Sequence, residues 1–271
     1  MNDLVRHMAV DRLREQFAAA QPFEHVVLDD LLVEPFATEV AACLPPFAEL
    51  ESMGNRFETV NEHRKVQLVD PSLFPPPLER LLAHLQSREW LDVLHAITGV
   101  PSLESDARLI GGGLHATGRS GRLDVHVDFN YLPDVERFRR LNLLLYLNPR
   151  WEPSWGGELE LWNESVAECA VRLAPVHGRC VIFATSNRSF HGTTRITCPE
   201  GEARYSLALY YYSHVPPPEF ADDFHGTVFR ARPDEWWKGR VLMPLETKYN
   251  DLKYRLRNLR DRLGGSDADS L

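Results

Sequence analysis

The spacing of apolar residues changes along the chain near residue 107. Before that point, residues 1–21 read as an amphipathic helix that Gln21-Pro22 ends. EHVVLDD (24–30) and KVQLV (65–69) read as short strands, and a helix is predicted over 35–44. The prolines at 75–77 precede helical spacing up to about residue 98. From 107 the pattern becomes short apolar runs split by turn residues: RLIGGGLHAT, GRLDVHVDF, LNLLLYLN, GGELELW, AECAVRLA, GRCVIFA and RYSLALYYYS. Strands this short and this regularly spaced predict a sandwich or barrel. The expected organisation is therefore N-terminal helical and β elements over 1–106, a β core over 107–214 and a C-terminal extension over 215–271. In that extension Leu252, Leu256, Leu259 and Leu263 form one stripe of an amphipathic helix ended by Gly264-Gly265. The stripe fits packing on its own domain, with a homodimer seam as the alternative to a monomer.

Composition narrows the class. At 271 residues, with 44% hydrophobic and 25% charged residues, the chain suits one substantial globular core. The N-terminal stretch has no uninterrupted apolar run, and nothing later approaches the roughly 20 apolar residues that a membrane span needs. A soluble, cytoplasmic protein is expected. Cys43, Cys169, Cys180 and Cys198 show no CxxC spacing, which argues against a zinc knuckle and a disulfide framework. The net charge of −9 provides no clustered cations for nucleic acid.

The candidate chemistry begins at HVDFN (126–130). Side chains at i and i+2 of a strand share a face, so His126 and Asp128 would present an imidazole and a carboxylate together. SFHGTTRIT places His191 just after an apolar strand, where it would sit at a strand end. Two histidines and a carboxylate with open positions suit a non-haem Fe(II) that activates oxygen. Hydrogen-bonded or solvated side chains remain the alternative. Such an iron centre commonly draws electrons from 2-oxoglutarate, whose far carboxylate needs a cation inside an apolar barrel. No lysine lies between Lys65 and Lys238, and a guanidinium suits the task. Arg204 opens the strand RYSLALYYYS, with Ser206 on the same face, whereas Arg195 lies in the turn-like HGTTR and reads as a solvated arginine.

HVDFN, RRLNLLLYLNPRWEPSWGGELELW, GRCVIFATSNRSFHGTTRIT and RYSLALYYYS follow in that order over about residues 107–213. In this order they resemble the catalytic domain of the prolyl 4-hydroxylase-like branch of 2-oxoglutarate/Fe(II)-dependent dioxygenases, and PFEHVVLDDLLVEP resembles the start of its bacterial members. The resemblance implies a mainly β protein with flanking helices, built on a double-stranded β-helix (jelly roll, cupin-like). It implies iron held by His126, Asp128 and His191, and 2-oxoglutarate held by Arg204 and Ser206 with help from Tyr146. Gly156 and Gly157 match the family's turn into the next strand. The implied activity is hydroxylation of an unactivated C–H of a prolyl, amino-acid or peptide-like substrate with O2, releasing succinate and CO2, with ascorbate as an accessory reductant.

Other positions read as peripheral. His115 lies in a glycine-rich stretch expected to be a mobile loop near the mouth, and PDVERFRR (133–140) reads as an inserted loop. His177 reads as a turn residue, and Trp236 and Trp237 as packing the tail onto the domain. Two readings from other classes stand beside the oxygenase. One is a non-catalytic jelly roll that binds a metal or small ligand, and the other is a partner-docking protein.

Overall fold

The computed structural model describes residues 4–217 and 224–244. In chain order the helices are α1 (Val10–Ala19), α2 (Phe36–Ala42), α3 (Phe47–Met53), α4 (Pro76–Leu85) and α5 (Arg88–Thr98). The strands are β1 (His25–Leu28), β2 (Asn55–Phe57), β3 (Glu62–Leu68), β4 (Glu104–Ser105), β5 (Gly113–Val127), β6 (Tyr131–Leu132), β7 (Arg137–Tyr146), β8 (Leu159–Trp162), β9 (Cys169–Leu173), β10 (Cys180–Ala184), β11 (His191–Thr193), β12 (Ala203–Ser213) and β13 (Val228–Arg230). The main path of the sheet runs β1-β10-β7-β12-β5-β11-β8-β9, antiparallel at every pairing. β3 and β13 add to β5.

The long β5 joins the two halves of this curled sheet. Its first half pairs with β12, its second half pairs with β11 and β13, and β3 runs along it from Leu114 to Leu123. Between the two halves Ser120 takes a left-handed φ of 68° and its amide donates to the Ile196 carbonyl at 2.8 Å.

Strand period explains why LNLLLYLN is apolar throughout. Leu141, Leu143 and Leu145 face the helices in the larger core cluster, while Leu144 and Tyr146 face inward in a second cluster with Val181, Phe183, Leu159 and Leu161. β10 repeats the division, with Cys180 and Ile182 outward and Val181 and Phe183 inward. A strand covered on both faces needs no polar alternation. On β12, Leu207, Leu209 and Tyr211 take the helical side, which leaves Arg204, Ser206 and Tyr210 for the cavity.

The helical layer is fixed by local signals. Ser87 caps α5 by accepting from the Trp90 amide, and Gly99 ends it at φ 72°. Trp90 and Leu91, Leu94 and Ile97 form its buried stripe. Trp90 Nε1 donates to the Tyr211 hydroxyl at 2.9 Å, and that hydroxyl donates to the Leu85 carbonyl at 2.9 Å, so α4, α5 and β12 share one buried link. Each fully buried leucine here contributes about 2 kcal/mol of apolar burial.

Several local readings are corrected. The glycine-rich stretch around His115 is strand, not loop: Gly113 lies so close to β3 that a Cβ would come 2.2 Å from the Leu68 carbonyl oxygen. Of residues 133–140, only 133–136 form a turn, and 137–140 begin β7. Trp236 and Trp237 stay exposed and pack edge-on to each other. It is Lys238 that is buried, 2.6 Å from Asp124 on β5. The leucine stripe at 252–263 lies outside the described residues. Among the described residues no helix is long and apolar enough to cross a membrane.

Candidate active site

The curled sheet encloses a cavity of about 270 Å³, which its residues divide into two ends. At one end, the pairing of β5 with β11 sets His126 directly opposite His191, and their rings lie 4.3 Å apart between centroids. Asp128 stands just past β5, with Oδ1 3.5 Å from His126 Nε2 and Oδ2 3.4 Å from His191 Nε2. All three side chains are buried, and their ligand atoms lie within 4.8 Å of one another.

Backbone carbonyls orient both rings. His126 Nδ1 donates to the Asp124 carbonyl at 2.8 Å and His191 Nδ1 to the Ser189 carbonyl at 2.9 Å. A carbonyl only accepts, so each Nδ1 carries the hydrogen and each Nε2 turns a lone pair toward Asp128. Phe229 on β13 covers His126 at 5.3 Å, and Phe183 meets His191 edge-on at 4.7 Å. Burial, then the neighbouring His126, pushes His191 down to about 3, so its ring is neutral. Burial alone would push Asp128 up, but Arg139 and the two imidazoles outweigh it and hold the carboxyl well below its usual range. Two imidazoles aimed at an ionised carboxylate are the donor set a divalent metal needs.

Asp128 has its own support. Arg139 donates to Asp128 Oδ2 at 2.8 Å and, through Nε, to Asn142 Oδ1 at 2.8 Å, while Asn142 Nδ2 donates to the same Asp128 oxygen at 2.6 Å. The Arg139 guanidinium lies 3.3 Å from the Tyr210 ring centroid and 4.6 Å from that of Phe129. Sequence reasoning missed this arginine because its charged surroundings suggested a loop.

At the other end, Arg204 is buried and one of its terminal nitrogens donates to the Tyr146 hydroxyl at 3.0 Å. Its Nε is buried with no hydrogen-bond partner. The sheet sets Arg204 opposite Thr117 and Ser206 opposite His115, and all four line the cavity. Ser206 thus points with Arg204 as its spacing implies. Tyr146 does not line the cavity and reaches it only through Arg204. Its burial pushes the phenol up against the opposing guanidinium, so it stays neutral. Arg195 is exposed outside the cavity. His115 is buried and lines the cavity; burial first, then Lys65, holds it well below the usual histidine range. An unpartnered buried guanidinium N–H beside a hydroxyl pair fits a carboxylate of a dicarboxylic acid.

Gly156 and Gly157 allow this packing. Both have positive φ, 66° and 74°, and a Cβ on Gly157 would press on Arg204 Cδ at 3.1 Å. The last wall, β13, carries no sequence signal beyond three residues of VFR. Its segment is held by Lys238 on Asp124 and by Arg232, which donates to Glu160 Oε2 at 2.8 Å.

Comparison with known proteins agrees with this geometry. Residues 112–212 match the family model of the 2OG-Fe(II) oxygenase superfamily. The enzyme class so defined, a 2-oxoglutarate-dependent oxygenase that takes Fe(II), 2-oxoglutarate and O2, is the one the motif order implies. Among solved structures, the fold is similar to a Pseudomonas putida prolyl-4-hydroxylase, with TM-score 0.50, 18% identity, and coverage of 73% of this chain and 97% of that one. It is also similar to a Trichoplax adhaerens prolyl hydroxylase in complex with a hypoxia inducible factor peptide, with TM-score 0.53, 18% identity and coverage of 74% and 90%. A Phytophthora capsici prolyl 4-hydroxylase gives TM-score 0.52, 21% identity and coverage of 88% and 77%. At these identities the likeness is one of fold. No curated protein matches the sequence.

Proposed function

We propose that this chain is a hydroxylase acting on an unactivated C–H of a prolyl, amino-acid or peptide-like substrate, with the balance R–H + 2-oxoglutarate + O2 → R–OH + succinate + CO2. One observation carries the reading. Two imidazole lone pairs and a carboxylate converge at one end of a cavity whose other end holds a buried arginine with an unpartnered N–H. His126, Asp128 and His191 would hold Fe(II), which when bound supplies the oxidising chemistry.

The protein's own part is binding and orientation. The carbonyls of Asp124 and Ser189 fix the tautomer and the aim of both imidazoles. Arg139 and Asn142 hold one oxygen of Asp128, which prevents the carboxylate from turning away. Arg204 would pair the far carboxylate of 2-oxoglutarate, with Ser206 beside it and Tyr146 fixing the guanidinium from behind. Phe229 and Phe183 keep water from the histidine pair. All four cysteines are free, which suits the reducing cytoplasm where we place the protein.

The test is a screen of free amino acids, prolyl peptides and peptide-like natural products with Fe(II), 2-oxoglutarate and ascorbate. The expected result is a product heavier by one oxygen with succinate formed in parallel. Succinate from no substrate in the screen would favour a binding module instead.

A further inference from the structure

Among the described residues, four permanent cations line the cavity: Lys65, Arg122, Arg139 and Arg204. Two of them already hold a carboxylate at normal hydrogen-bond length. Lys65 lies 2.8 Å from Glu62 and Arg139 2.8 Å from Asp128. The other two do not. Arg204 donates only to the Tyr146 hydroxyl, and its Nε is buried without a partner. Arg122 donates to the Val60 carbonyl at 3.1 Å, and its Nε too is buried without a partner. The carboxylate nearest to Arg122 is Asp124 at 3.7 Å, beyond hydrogen-bond length, and Lys238 at 2.6 Å and Arg232 at 3.5 Å already crowd it.

A buried guanidinium N–H without an acceptor carries a desolvation penalty that a bound anion would remove. The far carboxylate of one 2-oxoglutarate can satisfy Arg204. Arg122, whose side chain is 31% exposed and pairs with Asp124 only at 3.7 Å, keeps one terminal nitrogen open for a second carboxylate, and the co-substrate has none to offer, since its other end belongs at the metal ligands. Phe57, Phe129 and Phe229 also line the cavity and give it apolar walls. The cavity's 270 Å³ lies at the small end of ligand sites and must also admit 2-oxoglutarate.

We infer that Arg122 binds the free carboxylate of the primary substrate, so that the enzyme acts on a small, largely apolar carboxylic acid of the amino-acid type rather than on an internal residue of a peptide. This rests on the oxygenase reading above and narrows its substrate class. The Val60 contact, made through one terminal nitrogen, pins the guanidinium and leaves the other terminal nitrogen for the ligand, which makes Arg122 a specificity-determining residue.

The experiment compares apolar free amino acids, including L-proline, with their primary amides and N-acetyl amides. Binding is followed by calorimetry without O2, with Fe(II) and 2-oxoglutarate present, and turnover by product mass and succinate. At least one free acid is expected to bind and turn over, and its amide to bind at least 50-fold more weakly. Arg122→Gln should weaken binding of the acid by a similar factor while leaving the amide unaffected, and Arg122→Lys should recover part of the loss. Arg195→Ala, outside the cavity, should change neither. The acid-to-amide comparison needs no folded variant. Equal binding of acid and amide, an Arg122→Gln that binds the acid normally, or preference for internal peptides would overturn the inference while succinate formation upheld the oxygenase. No binding by any free acid would also overturn it. Absence of succinate with peptides and acids alike would instead count against the oxygenase reading.

Discussion

The two ends of the cavity differ in how completely their polar groups are satisfied. At the histidine end each Nδ1 has its carbonyl, and Asp128 Oδ2 receives both Arg139 and Asn142. At the arginine end, Arg204 keeps a buried Nε with no acceptor. The first end is built to be rigid before anything binds. The second is incomplete without an anion. Pre-organised ligands favour metal affinity, and an unsatisfied cation favours selection of a charged co-substrate.

The largest expected effect is at the rigid end. His126→Ala or His191→Ala removes a third of the ligand set, so Fe(II) binding and activity should be lost while the circular dichroism spectrum stays native. Full activity of either purified variant with iron present would break the comparison. Next is the support of Asp128. Arg139→Leu strands a buried carboxylate, which costs about 3–5 kcal/mol in systems of this kind. Urea unfolding should show that loss, and Arg139→Lys should recover only part of it, because a point charge cannot also reach Asn142. An Arg139→Leu protein as stable as wild type would mean that Asn142 alone suffices.

At the open end, Arg204→Ala should raise the 2-oxoglutarate requirement by about 100-fold, near 2.7 kcal/mol, since each tenfold is about 1.4 kcal/mol. Arg195→Ala should change it less than about twofold, as expected for an exposed arginine away from known partners. The reverse order would exchange their roles. The smallest effect concerns His115, whose folded-state pKa is held well below its ordinary value by burial, then by Lys65. Below about pH 6.5 the unfolded chain takes up a proton there that the folded chain refuses, so stability falls with acidification toward the lowered value. His115→Gln should remove up to one proton from that dependence, about 1.4 kcal/mol per pH unit. An unchanged slope in pH-dependent urea unfolding would show that His115 protonates normally when folded.

What could be read from the sequence divides along similar lines. His126, Asp128, Arg204 and Ser206 were legible because strand period fixes which residues share a face, and that holds whatever packs on the strand. LNLLLYLN was legible as a strand for the same reason. His115 was misread because consecutive glycines usually mean a loop, whereas here Gly113 lets β5 approach β3. Arg139 was hidden because a charged run reads as solvated, and it meets its partner Asp128 only through the fold, with β12 lying between β7 and the metal-ligand strand β5. Arg122 and Phe229 were invisible, since each depends on a long-range neighbour and neither lies in a diagnostic motif.

The central claim, that His126, Asp128 and His191 hold Fe(II) beside a 2-oxoglutarate anchored by Arg204, is tested most directly by anaerobic titration of 2-oxoglutarate into the Fe(II)-loaded protein. The readout is the visible charge-transfer absorption that appears when 2-oxoglutarate binds Fe(II). The expected result is a saturable band in the wild type, no band in His191→Ala, and a band in Arg204→Ala that needs about 100-fold more 2-oxoglutarate, again at about 1.4 kcal/mol per tenfold. An absent band in the wild type, or the wild-type titration curve in His191→Ala, would contradict the account.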